Sequence, residues 1–160
     1  NRYDGYKFKL FKHDESDTTS INDDFIEKIL EGPDHKLWIS TRNGFNIYDP
    51  LTEKFDRSPQ TFLNSIHIPG GDISGNILDI RCDSSGSFWF LTNLTGIYKY
   101  DPATKKTIRL FHQPMDTTSP YKGSIAAFTT DKTGDSWIIY KDGMLEKMDG
   151  RNDHIVYRTS

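Results

Sequence analysis

The chain has 160 residues, a formal net charge of −3, and acidic and basic residues interspersed along its length; with no basic stripe, nucleic acid is not expected as a partner. Only 34% of the residues are hydrophobic, 13% are aromatic and 12 are glycine, which suits many short strands and polar loops better than a helical bundle. Cys82 is the only cysteine, excluding an intrachain disulfide, and no apolar run approaches membrane-spanning length, so no membrane contact is expected of this segment.

Near the start, Tyr3-Asp4-Gly5 matches two later turns, Tyr48-Asp49-Pro50 and Tyr100-Asp101-Pro102. Residues 1–20 therefore read as the end of one structural unit, with an outer strand over 6–11 and then a linker. A complete unit follows over 21–58. It opens with an apolar strand at 25–30, reverses at Gly32-Pro33-Asp34-His35 and enters Leu37-Trp38-Ile39-Ser40-Thr41. A turn at Arg42-Asn43-Gly44 leads to a third strand ending at Asp49, and a weaker fourth strand lies around Lys54-Phe55. Residues 59–75 read as an inter-unit loop.

The second unit, 76–111, repeats this order with a strand at 77–82, the turn Asp83-Ser84-Ser85-Gly86, then Phe88-Trp89-Phe90-Leu91-Thr92, Gly96 and Asp101. After a loop at 112–123, the third unit occupies 124–160. It carries Asp131-Lys132-Thr133-Gly134, Ser136-Trp137-Ile138-Ile139-Tyr140, Gly143 and Met148-Asp149. Such turn residues tolerate positive φ or bond their own backbone, so the chain reverses at each of them.

Self-similarity at a period of about 50 residues signals a stack of equivalent supersecondary units. Four short antiparallel strands per unit define a propeller blade. A sheet with one wet face would alternate polar and apolar residues, whereas Phe88, Trp89, Phe90 and Leu91 are consecutive. Both faces of such a strand are expected to be covered, as when blades pack face to face. The predicted fold is all-β: a partial β-propeller of three four-stranded antiparallel blades plus the outer strand of a preceding blade. We read the chain as a piece of a longer array, whose open apolar blade faces favour self-association.

The residues that could carry chemistry are few. His13, His35, His67, His112 and His154 are scattered, and no two have metal-ligand spacing. The Asp83 and Asp131 turns offer too few oxygens for a calcium cage. Ser84 and Ser85 lack a nearby base, and Gly70-Gly71 opens no helix that could cradle phosphate. No metal, cofactor or catalytic residue is expected. Trp38, Trp89 and Trp137 occupy the same strand position in every unit, flanked by aliphatics, which assigns them to the blade core. Asp49, Asp101 and Asp149 read as turn-makers accepting from backbone N–H groups two residues on.

The first unit, Asn22-x-x-Phe25-Ile26-x-x-Ile29, a polar turn, Leu37-Trp38-Ile39-Ser40-Thr41, Gly44-Phe45, Tyr48-Asp49-Pro50 and Lys54-Phe55, resembles the two-component regulator propeller repeat. The resemblance covers nearly the whole chain. The second unit departs at Phe90 and Leu91, and the third has Tyr140 and Gly150 where the pattern has Thr and Pro. It implies the periplasmic sensor region of a Bacteroidetes hybrid two-component system, a receptor for oligosaccharides in polysaccharide utilisation. In that family a transmembrane helix and a histidine kinase follow the sensor, so phosphotransfer would lie outside this segment, which itself would be no enzyme. Two other readings stand beside it: a propeller scaffold for protein interaction or dimerisation, and a propeller enzyme resembling streptogramin lyase, which would need a His and acid cluster with a divalent ion.

Propeller geometry directs a ligand to one rim. Loops joining strand four of one blade to strand one of the next share that rim with loops joining strands two and three. The latter carry Arg42, Asn43, Asn93, Lys141 and Asp142, polar side chains suited to hydroxyl recognition and the expected ligand contacts.

Overall fold

The computed structural model describes residues 1–68, 77–92 and 96–160. It contains three four-stranded antiparallel sheets, each with its strands in chain order, and a two-stranded hairpin. This is the expected all-β, propeller-like fold. The chain divides into two compact units, Asn1–Phe62 and Leu63–Ser160.

In the first unit, β1 (Arg2–Tyr3) pairs with β2 (Phe8–Lys9). The outer strand expected over 6–11 is thus only two residues long. Asp4 Oδ1 accepts from the N–H groups of Tyr6 (2.9 Å) and Lys7 (2.8 Å), holding those residues in a turn. Blade one follows as β3 (Ile26–Glu31), β4 (Leu37–Thr41), β5 (Gly44–Asp49) and β6 (Lys54–Asp56). Successive strand residues point to opposite faces, so Trp38 and Ile39 face opposite ways, and both are buried. Ile39 clusters with Ile21, Tyr48 and Phe55. Trp38 meets the rings of Phe45 and Phe62 edge-on, at 6.1 and 5.7 Å.

The expected loop over 59–75 contains a helix, α1 (Pro59–Ser65). Ser58 followed by Pro59 supplies its start: proline at the first helical position has no N–H to leave unpaired and a φ already suited to the helix. Positions 69–76, including Gly70-Gly71, lie outside the described residues.

The second unit holds blade two, β7 (Ile77–Cys82), β8 (Phe88–Thr92), β9 (Ile97–Asp101) and β10 (Lys106–Leu110), and blade three, β11 (Ile125–Thr130), β12 (Ser136–Tyr140), β13 (Leu145–Met148) and β14 (Ile155–Thr159). All five residues of β8 are buried, which explains its uninterrupted apolar run. The two blades share one core: Trp89, Leu91 and Ile97 of blade two meet Phe128, Ile138, Tyr140, Met148 and Ile155 of blade three. Trp89 and Phe128 lie 5.3 Å apart between ring centroids.

Trp137 differs from its two counterparts. It lies on the face of blade three opposite Ile138, is only half-buried, and shares that face with Ile139, which is 44% exposed. Its core role is therefore weaker than that of Trp38 or Trp89, each 1% exposed.

Two devices recur that the sequence repeat alone does not announce. Each inner strand carries a bulge against its neighbour at the same place, between Ile26 and Lys28, Ile77 and Asp79, and Ile125 and Ala127. A bulge bends and twists a strand locally. The linkers before blades one and three are also copies of each other. His13 and His112 bond through Nδ1 to the carbonyls of Ile21 (2.8 Å) and Pro120 (3.0 Å). Ser20 and Ser119 hydroxyls accept from the N–H groups of Asp14 and Gln113, both at 2.9 Å. Thr19 and Thr118 carbonyls then accept from Phe55 and Ile155 N–H at 2.8 Å, fastening each linker to the outermost strand of its blade. An edge strand covered in this way is a poorer template for pairing with another chain.

Candidate ligand-binding rim

In the first unit, the β4–β5 turn presents Arg42 and Asn43 to solvent, and its sharp reversal uses Gly44 at φ 95°. Its base is fixed by Asn22. The Asn22 side-chain amide donates to Asn43 O (2.9 Å), and its Oδ1 accepts from Thr41 Oγ1 and Asn46 Nδ2, both at 2.7 Å. Asn46, fully buried, accepts in return from Asn22 N–H at 2.9 Å. The Arg42 guanidinium stacks 3.8 Å from the centroid of Phe25. A cation held on an aromatic face loses freedom before any ligand arrives.

In the second unit, Lys141 and Asp142 are exposed at the corresponding β12–β13 turn. Lys141 N–H donates to Ser124 O at 2.9 Å. Asp142 Oδ2 accepts from the Tyr121 hydroxyl at 2.9 Å, and this bond raises the Tyr121 phenol above its ordinary range. Asn93 lies outside the described residues.

Beneath this turn sits a charged group that the sequence reading does not single out. Glu146 is fully buried, yet both its oxygens are occupied. Oε2 accepts from the Tyr140 hydroxyl (2.6 Å) and Tyr121 N–H (3.1 Å), while Oε1 accepts from Arg158 Nε (2.6 Å). Arg158 also donates to Ser119 O at 2.9 Å, tying the linker to the same centre. Burial first, then the Glu146 carboxylate, push the Tyr140 phenol well up. Asn46 in blade one does comparable work, since each buried side chain captures the first linker N–H after the Ser-Ile or Ser-Pro step.

The three turn aspartates each accept two residues on. Asp49 bonds Leu51 N–H (2.8 Å), Asp101 bonds Ala103 N–H (2.9 Å) and Asp149 bonds Arg151 N–H (2.7 Å). The tryptophans have a further tether. Trp89 Nε1 donates to Asp83 Oδ2 (2.8 Å) and Trp137 Nε1 to Asp131 Oδ2 (3.2 Å). An Asp six residues before Trp in two copies was the available signal. Blade one has Gly32 there, and a Cβ at that position would lie 2.2 Å from Trp38 Cδ1; the indole occupies the space the carboxylate would need.

These tethers predict an acid dependence. Hydrogen bonds, first from the Thr133 hydroxyl and then from the Trp137 indole and backbone N–H groups, outweigh desolvation and hold Asp131 at about 2, below its ordinary 3.8. Partial burial pushes Asp83 up, but bonds from Ser85, Trp89 and Ser87 outweigh it and leave that carboxyl lowered. A depressed folded-state value means the stabilisation is complete above 3.8 and is lost as pH falls towards about 2. Thermal melts over this window should therefore fall with pH, and Asp131→Asn should flatten part of that fall. An unchanged acid profile in the variant would reject the tether as a source of stability.

Among the described residues, no three His, Cys, Asp or Glu side chains converge as metal ligands do, and no helix is long and apolar enough to cross a membrane.

No family model matches the chain, and no curated protein matches it. Solved structures do. The extracellular domain of the putative hybrid two component system BT3049 from B. thetaiotaomicron superposes with a TM-score of 0.60 over 92% of this chain, at 15% identity. The chain spans 18% of that structure's length. The corresponding domain of BT4673 from the same organism gives a TM-score of 0.45 at 17% identity, with 94% of this chain and 26% of that one covered. The second score is too low to build on. At 15% identity, the first establishes likeness of fold between this chain and part of that extracellular domain.

Proposed function

We propose that the chain is part of the extracytoplasmic, ligand-sensing propeller of a hybrid two-component signal-transduction protein, and that it serves polysaccharide utilisation by responding to oligosaccharides. The observation that carries this reading is the fold likeness to the BT3049 extracellular domain over 92% of the chain. The repeat order of turn, Trp strand, Gly turn and Asp turn supports it independently. Such a region is periplasmic, and phosphotransfer belongs to other parts of such a protein. The ligand contacts are assigned to the rim turns, with Arg42, Asn43, Asn93, Lys141 and Asp142 as hydroxyl-binding groups.

The test uses the full-length protein in its host. Lys141→Ala with Asp142→Ala is expected to abolish oligosaccharide-induced transcription while leaving the melting temperature of the extracytoplasmic region unchanged. Intact induction would retire this rim as the sensing site.

A second reading, a scaffold that pairs through its sheet faces, is favoured by one feature of the first unit. Phe25, Ile26 and Ile29 are 50%, 40% and 61% exposed, beside a cleft of about 400 Å³ lined by Leu10, Phe11, Leu37 and Tyr48. Loss of dimers on Ile29→Glu, with ligand response retained, would select this reading over the first.

A further inference from the structure

We propose that the rim cleft between blades two and three binds a sugar ring carrying an anionic group, a carboxylate or a sulfate. The inference rests on the oligosaccharide reading and narrows it to a chemical class. The cleft, about 290 Å³, opens in the second unit between the ends of β8 and β9, the segment after β10 and the residues leading into β11. That is the low end of ligand-pocket sizes, a volume suited to one or two rings.

Among the described residues its lining includes Arg109, Lys122 and His112, and no carboxylate. The Arg109 guanidinium lies over the Phe111 ring, 4.8 Å from its centroid. Lys122 is exposed and has no carboxylate partner among the described residues. The adjacent acids are engaged: Asp142 by the Tyr121 hydroxyl, Glu146 by Arg158 and Tyr140. The neutral Tyr121 hydroxyl does not cancel the Asp142 carboxylate, but Asp142 stands outside the lining and Glu146 is paired with Arg158. The two lining cations thus outnumber the one unpaired acid beside them, and the local field favours an anion.

The remaining walls suit a ring with hydroxyls. The Tyr121 ring meets Tyr140 edge-on at 5.2 Å and is pinned through both its hydroxyl and its backbone N–H. Such a platform is ordered before binding and costs little entropy to use. A sugar's C–H face can pack on it. His112 Nδ1 sits 3.0 Å from Pro120 O. A carbonyl only accepts, so Nδ1 donates to it and Nε2 is left to meet a ligand hydroxyl.

The test titrates the 160-residue chain by NMR and calorimetry with three probes: digalacturonic acid for a carboxylate, a sulfated neutral disaccharide for a sulfate, and cellobiose for neither. One anionic probe should bind at least about tenfold more tightly than cellobiose and shift Tyr121 and His112 resonances, and which of the two does so names the source of charge. Lys122→Glu, an exposed change, should weaken that binding about tenfold or more with an unchanged melting temperature, and Arg109→Gln should act in the same direction. Cellobiose binding as tightly as the acids would overturn the anionic class while leaving the sensor reading intact. No perturbation of the cleft by any probe, or binding indifferent to Lys122→Glu, would overturn the site itself. The sensor reading is judged separately, by induction in the full-length protein.

Discussion

Arg158→Met should destabilise the unit 63–160 by about 3–5 kcal/mol, measured in urea unfolding. Arg158 is partly exposed, but its partner Glu146 is not exposed at all. Removing the guanidinium leaves a carboxylate in the blade interior without its counter-charge. Desolvating a lone charge costs far more than desolvating a well-matched pair returns, so the penalty belongs to the orphaned acid more than to the lost bond. The Tyr140 hydroxyl and Tyr121 N–H still donate to Glu146, which holds the effect below the cost of a bare buried ion. A double variant separates the two contributions. Glu146→Leu with Arg158→Met removes the charge altogether and should recover part of the loss, because an apolar side chain of similar volume suits the site. If the double variant is no more stable than Arg158→Met alone, the orphaned carboxylate is not the source of the penalty and this account is wrong.

Glu146 also shows where reading the sequence stops. The order of strands and turns is legible because it is written locally. Turn residues, the Trp strand and Asp49, Asp101 and Asp149 each declare themselves within a few positions, and the structure gives them strands and turns in the expected order. The Glu146 centre is assembled by register instead. Ile138 faces Glu146 across β12 and β13, Glu146 faces Arg158 across β13 and β14, and Ser119 arrives from a linker. No single stretch of sequence holds that information. The bulges are similarly silent, since one unpaired residue in an apolar strand leaves no compositional trace.

Other features are legible in the sequence. Ser58-Pro59 is a helix-start signal inside what reads as a loop. His13 and His112 look scattered one at a time. Yet each opens the same string, His followed four residues on by Asp-Thr-Thr-Ser or Asp-Thr-Thr-Ser-Pro, at 17–20 and 116–120. The structure turns both strings into the same linker. A repeat search extended beyond the tryptophans finds it. The rim residues divide in the same way: Arg42, Asn43, Lys141 and Asp142 lie on turns that the Gly signals mark, whereas Tyr121 joins them only through the fold.

The tryptophans give the second large effect, and their inequality is its content. Trp89→Ala should cost about 3–5 kcal/mol, the range for deleting a large aromatic from a packed core. Trp89 is 1% exposed, packs on Phe128 at 5.3 Å and donates its indole N–H to Asp83. The alanine variant therefore opens a cavity between two blades and frees a carboxylate that had helped order its turn. Trp137 occupies the same strand position and has the same tether, to Asp131, but its ring is half-buried under Lys147. The apolar area it withdraws from water is correspondingly smaller. Truncation there removes contacts on one side and leaves no closed cavity, so Trp137→Ala should cost roughly half as much, about 1.5–2.5 kcal/mol. Urea melts of the two variants side by side decide the matter. A gap of more than about 1 kcal/mol with Trp89 the costlier loss follows from inter-blade packing, because only Trp89 stands between two sheets of this unit. Equal losses would mean that the Asp tether, common to both rings, carries the stability and that the shared core of blades two and three contributes little through its indole.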